Sequence, residues 1–170
     1  MLSLALLRHA KSSWDAKDID DFDRALNDRG RAAAPVMGGV LKELHFAPEQ
    51  ILCSPAKRTR ETLSLITPYV KDAEVTFDDQ LYLTGPDTLL ARLKTVPVGI
   101  QRVLMIGHNP GMHGLALMLA GTGDAKSISR LEDKFPTAAL ATFTFPQVTW
   151  RDLTPASGHL EAFITPRDRS

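Results

Sequence analysis

Leu6-Leu7-Arg8-His9-Ala10 and, far along the chain, Val103-Leu104-Met105-Ile106-Gly107-His108-Asn109-Pro110-Gly111 are two versions of one pattern. Each is a short apolar run that stops at a histidine. A continuous run of leucine and β-branched residues is what a strand buried on both faces requires. In an open α/β sheet, ligands bind just beyond the carboxyl ends of such strands. Two histidines at two such ends can face each other across one pocket. Arg8 sets a fixed positive charge beside the first.

The rest of the chain follows from that frame. Residues 3–7 are the first strand, and residues 11–25, polar and acidic without a clear period, read as a long loop over the sheet edge. Asn27 suits the N-cap of a helix running to about His45, although Gly30, Gly38 and Gly39 weaken it. Gln50-Ile51-Leu52-Cys53 is a second strand, closed by Ser54-Pro55, and a helix is predicted from about Ala56 to Val70. Glu74 to Phe77 reads as an edge strand. Pro86 opens a helix carrying Leu89, Leu90 and Leu93. Pro110-Gly111 opens another with Leu115, Leu117, Met118 and Leu119, and Ala139–Phe145 and Gly158–Ile164 are the last strands. Four βα units followed by two strands predict an α/β fold, a three-layer α/β/α sandwich with a mostly parallel central sheet. At 170 residues, one domain over 1–170 is the simplest expectation.

Lys+Arg 20 balance Asp+Glu 20, so net charge points to no nucleic-acid or membrane partner. Any anion-binding charge must be local. Cys53 is the single cysteine, which agrees with a reducing, cytoplasmic setting. The apolar run that Arg8-His9 interrupts has no basic region before it, so it does not read as a signal peptide. No stretch approaches the length of a membrane span.

Phosphate chemistry fits these residues. His9 is the candidate nucleophile, because a neutral imidazole attacks phosphorus and forms a phosphohistidine that water later cleaves. The alternative is a satisfied histidine at a strand end. Arg8 offers a planar fork that matches two phosphate oxygens. In Ser54-Pro55-Ala56-Lys57-Arg58-Thr59-Arg60-Glu61-Thr62, a strand turns into a helix whose N-terminal end favours an anion. Arg58 lies in its first turn, whereas Lys57, Arg60 and Glu61 read as solvated. Ser54 reads as a helix start without catalytic meaning. His108 is placed to donate to a phosphoryl oxygen, with Asn109 beside it as a candidate phosphate contact. His113 reads as a helix residue, and His45 and His159 have no such context. Asp79 is either a general acid for the leaving group or a solvated loop aspartate. Asp15, Asp18, Asp20, Asp21 and Asp23 lack the calcium-loop glycine and terminal glutamate, so they read as a solvated loop and no metal or other cofactor is expected.

With these elements in order, the chain resembles the histidine phosphatase superfamily, also called phosphoglycerate mutase-like, over residues 3 to about 120. Arg8-His9-Ala10 is similar to its Arg-His-Gly signature, with alanine for the final glycine. The family's second arginine falls on Arg58 and its second histidine on His108. The opening Arg8-His9-Ala10-Lys11-Ser12, Gly107-His108-Asn109-Pro110 and Asp23-Arg24-Ala25-Leu26-Asn27-Asp28-Arg29-Gly30 look most like the SixA-type phosphohistidine phosphatases. That likeness implies that Arg24 also lines the phosphate pocket. The mutases place a glutamate acid three residues before a tyrosine, and Asp79 stands three before Tyr82. The resemblance implies a metal-independent phosphatase acting on phosphohistidine in a protein or on a small phosphorylated compound. The alternatives are a phosphomonoesterase or mutase, and a non-catalytic module that binds phosphohistidine.

Overall fold

The computed structural model describes residues 1–14 and 18–170; Asp15, part of the acidic run, lies outside them. Among these residues one sheet holds β1 (Leu2–Arg8), β2 (Gln50–Cys53), β3 (Glu74–Phe77), β4 (Arg102–Gly107), β5 (Ala120–Gly123), β6 (Leu140–Phe145) and β7 (Gly158–Ile164). Their spatial order is β3-β2-β4-β1-β6-β7-β5. β1 pairs in parallel with β4, β4 with β2, and β2 with β3. β6 runs antiparallel to both β1 and β7, and β5 is parallel to β7. The sheet is therefore mostly parallel, with β6 the one opposed strand.

Alternation along β1 divides the core. Leu4 and Leu6 join Leu89, Leu93, Met112, Leu115 and Leu131 of helices α3 (Pro86–Leu93), α4 (Gly111–Leu119) and α5 (Ala125–Asp133). Ala5 and Leu7 join Met37, Leu41, Leu63 and Ile66 of α1 (Asp28–Glu43) and α2 (Lys57–Ile66). Each buried leucine removes enough apolar surface from water to contribute about 1.5–3 kcal/mol. That burial holds both helix sets against the strands whose ends carry the histidines. No helix among the described residues is long and apolar enough to cross a membrane.

Asn27 caps α1, its side chain accepting from the Gly30 N–H at 2.9 Å. Gly30 weakens the helix in propensity but is required by position. A Cβ there would lie 2.1 Å from the Lys11 carbonyl oxygen, so only glycine lets α1 lie against the chain just after His9.

The helix expected to reach Val70 stops at Ile66, and Thr67–Tyr69 form a 3-10 turn, because Pro68 has no N–H to continue the ladder. The 11–25 loop carries a 3-10 turn at Asp21–Asp23 and a bridge between Ser12 and Leu26. β5 and α5 are additions to the sequence reading. β5 is Ala-Gly-Thr-Gly, with no apolar alternation, and Gly121 packs against the Ala156 carbonyl where a Cβ would stand 2.0 Å away. In α5 only Leu131 is buried, with Ile128 packed beside it, and Asp124 caps the helix by accepting from the Ser127 N–H.

Candidate active site

Strand register brings the two histidines together. Arg8 pairs with Gly107 across β1 and β4, so His9 and His108 follow side by side at the carboxyl edge. The His9 N–H donates to the Gly107 carbonyl at 3.1 Å. The two rings are buried, tilted by 53°, with centroids 5.3 Å apart.

The hydrogen bonding of His9 fixes its chemistry. Nδ1 lies 2.7 Å from the Ala10 carbonyl oxygen. A carbonyl only accepts, so Nδ1 carries the proton and Nε2 keeps its lone pair. Burial is the largest influence on its pKa. The Ala10 contact opposes it, while His108, Arg58 and Arg8 reinforce it, and the result is about 3. His9 is thus a neutral imidazole at pH 7 with Nε2 available. Ala10 is itself held, its N–H donating to Thr62 Oγ1 at 3.0 Å, and Thr62 Oγ1 donates to the Arg58 carbonyl at 2.8 Å. One threonine therefore joins the backbone after His9 to the arginine turn.

His108 is also lowered to about 3, by burial first and then by Arg58, with Asp21 opposing. Its Nε2 lies 2.7 Å from Ser54 Oγ, which accepts from the Ala56 N–H at 3.4 Å. Ser54 is therefore more than a helix start, and the helix N-cap is Ala56. His108 Nδ1 is buried without a protein partner, as are Arg8 Nε and Arg58 Nε. Buried polar atoms normally find partners. Three such nitrogens within one site, two of them arginine N–H donors, are the signature of a place for an anion.

Around the histidines stand the arginines. Arg8 donates from a terminal nitrogen to the Phe135 carbonyl at 3.1 Å, and burial, then Arg58, lowers its pKa. Arg58, only 2% exposed, donates to the Asp21 carbonyl oxygen at 2.7 Å and to its Oδ2 at 3.0 Å. Arg24 bridges Asp21 Oδ1, at 3.1 Å from Nε, and Ser12 Oγ, at 2.7 Å, and stacks 3.7 Å over the exposed Trp14 ring. Burial disfavours the Asp21 charge, but hydrogen bonds from Tyr82, Arg58 and Arg24 outweigh it and hold the carboxyl at about 2. Asp21 is thus an ionised brace for two arginines and not a solvated loop residue.

Tyr82 completes that brace. Its hydroxyl donates to Asp21 Oδ2 at 2.5 Å, and its ring meets His108 edge-on at 5.4 Å. Asp79, in the 3-10 turn before it, is exposed and has no side-chain hydrogen bond or ion pair among the described residues. Asn109 donates to the Phe135 carbonyl at 2.8 Å and accepts from the His113 N–H at 3.2 Å, so both ends of its amide are engaged within the protein. Arg60 is exposed, as is Lys57, but Glu61 is not simply solvated: it accepts from the Leu26 N–H at 2.8 Å. His113 bonds the Leu131 carbonyl, and His45 and His159 are exposed. Ser54, Thr62, Asp21 and Tyr82 escaped sequence reasoning as site residues. The Ser-Pro turn and the spacing from Asp21 to Arg24, one helical turn, were the available signals. Among the described residues no three His, Cys, Asp or Glu side chains gather as metal ligands would.

Comparison with known proteins agrees with this geometry. Residues 4–82 match the family profile of the histidine phosphatase superfamily (branch 1). An uncharacterized protein of Mycobacterium leprae is 36% identical over 165 residues, covering 95% of this chain and all of its own. Two solved structures, provisionally named phosphohistidine phosphatase SixA, share the fold closely. That from Nakamurella multipartitia has a TM-score of 0.82 at 28% identity, with 97% of this chain and 96% of its own covered. That from Agrobacterium tumefaciens has a TM-score of 0.79 at 27% identity, with 97% and 98% covered. With the paired histidines and the arginine cage at the strand ends, these matches show that the chain belongs to the histidine phosphatase superfamily.

Proposed function

We propose that this protein is a metal-independent phosphatase that works through a phosphohistidine on His9 and takes phosphohistidine in proteins, or a small phosphorylated compound, as substrate. The observation that carries this reading is the free Nε2 lone pair of a buried, neutral His9 beside two arginine N–H donors and a histidine nitrogen that lack protein partners. In the first step Nε2 attacks phosphorus in line. The N–P bond to His9 forms as the bond to the leaving group breaks. In the second, water attacks the phosphoryl group, His9 leaves with its electron pair, and phosphate departs.

A phosphoryl transition state spreads negative charge over three oxygens, so catalysis is chiefly placement of donors. Arg8, Arg58 and His108 supply them, with Arg24 held at the rim. Asp21 fixes the forks of Arg24 and Arg58, and the Phe135 carbonyl holds Arg8, before substrate arrives, so little reorganisation is left for the reaction. The arginines also keep His9 neutral, by disfavouring a second positive charge. Phosphohistidine suits a site whose nearest acid candidate is exposed. Its leaving imidazole takes a proton on its own ring, whereas an alkoxide depends on an acid.

Rapid quenching with a labelled phosphohistidine peptide tests this. The expected product is a phosphoenzyme stable to base and labile to acid, formed by the wild type in EDTA and absent in His9→Ala. Turnover by His9→Ala, or loss of wild-type activity on chelation with recovery on one added metal, would overturn the mechanism.

A further inference from the structure

Beside the phosphoryl site lies a second cavity, of about 360 Å³, that the mechanism above does not use. Phe163 and Pro136 form part of its apolar lining, and five cations, Lys11, Arg29, Arg130, Lys134 and Arg167, surround it. Arg130 is neutralised by Asp168 at 2.7 Å and lies over the Phe163 ring at 5.5 Å. The other four have no ion-pair partner among the described residues. Asp133 is the one unpaired acid in the lining. A chain of zero net charge thus concentrates free positive charge at one opening.

The cavity is lined by segments that adjoin the active site in the chain. Lys11 is two residues past His9, and Thr137 precedes Ala138, whose N–H donates to the His9 carbonyl at 2.9 Å. Leu7 pairs with Leu140 and Leu140 with Ile164, so the ends of β1 and β7 lie on one edge of the sheet. Two strand spacings separate them, about 10 Å. That is the reach of about three residues of extended chain.

We propose that this cavity receives an aspartate or glutamate side chain of a phosphoprotein substrate whose phosphohistidine, on the reading above, sits at His9. The form of the cavity favours a polypeptide over a compact anion. Where this protein is built for a phosphoryl group, the donors are buried and convergent, as Arg58 is at 2% exposure. Here Arg29, Lys134 and Arg167 are exposed and come from separate segments, spread around a partly apolar floor. Long cations on a rim steer and select acidic partners more than they grip one small ion.

The test uses a fluorescein-labelled peptide bearing glutamates, its glutamine counterpart, and ATP as a compact anion. Binding is read by anisotropy on the full chain and on the double variant Arg29→Glu/Arg167→Glu, with circular dichroism to show that the variant is folded. The glutamate peptide should bind the wild type more tightly than the glutamine peptide and lose about tenfold on charge reversal. With phosphohistidine peptides, a glutamate three residues from the phosphohistidine should raise kcat/KM in the wild type but not in the variant. Free phosphohistidine should be hydrolysed equally by both. Equal binding of the two peptides, or charge sensitivity confined to ATP, would overturn the acidic-segment assignment. Charge-sensitive binding of the glutamate peptide without hydrolysis of any phosphohistidine compound would support the cavity and overturn the phosphohistidine reading instead.

Discussion

Two regions of the molecule build the two halves of the site in different currencies. β1, β2 and β4, all parallel, deliver side chains: His9 and Arg8 from β1, His108 after β4, and Ser54 and Arg58 after β2. The connection between α5 and the opposed strand β6 delivers backbone. The Phe135 carbonyl holds both Arg8 and Asn109, and the Ala138 N–H holds the His9 carbonyl. Reactive groups need particular residue types, whereas a carbonyl can come from any. The first half should therefore be intolerant of substitution in its chemistry, and the second tolerant in chemistry while sensitive in packing.

The strongest way to break this contrast is to truncate one residue of each kind. Arg8→Ala and Arg58→Ala should each lower kcat/KM by about 100-fold or more, the scale for removing a donor to a developing anion. Arg58→Lys should recover only part, since an ammonium cannot reproduce a guanidinium that reaches Asp21 through two nitrogens. Arg60→Ala, on an exposed residue of the same helix, should be nearly silent. Phe135→Leu keeps its carbonyl and should leave kcat within a few-fold while lowering stability, because its ring is buried. Steady-state kinetics and urea titration of these variants decide the point. A large kcat loss in Phe135→Leu with an intact Arg8→Ala would invert the contrast.

A pH series sharpens the comparison through stability. His9 and His108 titrate near 3 in the folded protein, by burial above all, against about 6.5 in an unfolded chain. Between those values the unfolded state binds more protons than the folded one. Stability is therefore full above pH 6.5 and falls as pH drops toward 3, by up to about 1.4 kcal/mol per pH unit for each ring. Urea unfolding at pH 7 and pH 5 should show the loss in the wild type and a smaller loss in His9→Gln. An equal pH dependence in the two proteins would mean that His9 is not held neutral by its surroundings.

Legibility in the sequence follows the same division. Apolar runs ending in histidine expose β1 and β4 because a buried parallel strand must be apolar on both faces. Asn27, Pro86 and Ser54-Pro55 mark helix starts by local chemistry alone. β5 gave no such sign, since it is a glycine-rich edge pairing, whereas α5 carried one that was missed, the Asp124 N-cap, beside a single buried leucine. Asp21 looked solvated because two of its partners, Arg58 and Tyr82, are 37 and 61 residues away. Its one local partner, Arg24, is three residues away, and the rest of its role is made by tertiary contact. The same holds for Ser54, whose bond to His108 spans 54 residues.

The smallest effect is expected at Asp79, where the side-chain half of the site reaches its limit. The mutase-like spacing to Tyr82 places an acid on this turn, yet the carboxyl is exposed and bonded to nothing among the described residues. Tyr82, not Asp79, faces the histidines, through its edge contact with His108. A phosphohistidine leaving group needs no enzymic acid, because the departing imidazole is protonated on its own ring. An alkyl phosphate does need one. Asp79→Asn should therefore change kcat/KM on a phosphohistidine peptide by less than about threefold, well under the range for general acid catalysis. On an alkyl phosphate, whose leaving group depends on an acid, the loss should be larger. Measuring both substrates with both proteins separates the roles. Efficient wild-type hydrolysis of the alkyl phosphate, with an equal and large loss on both substrates in Asp79→Asn, would establish Asp79 as the general acid. It would also move the protein to phosphomonoester chemistry.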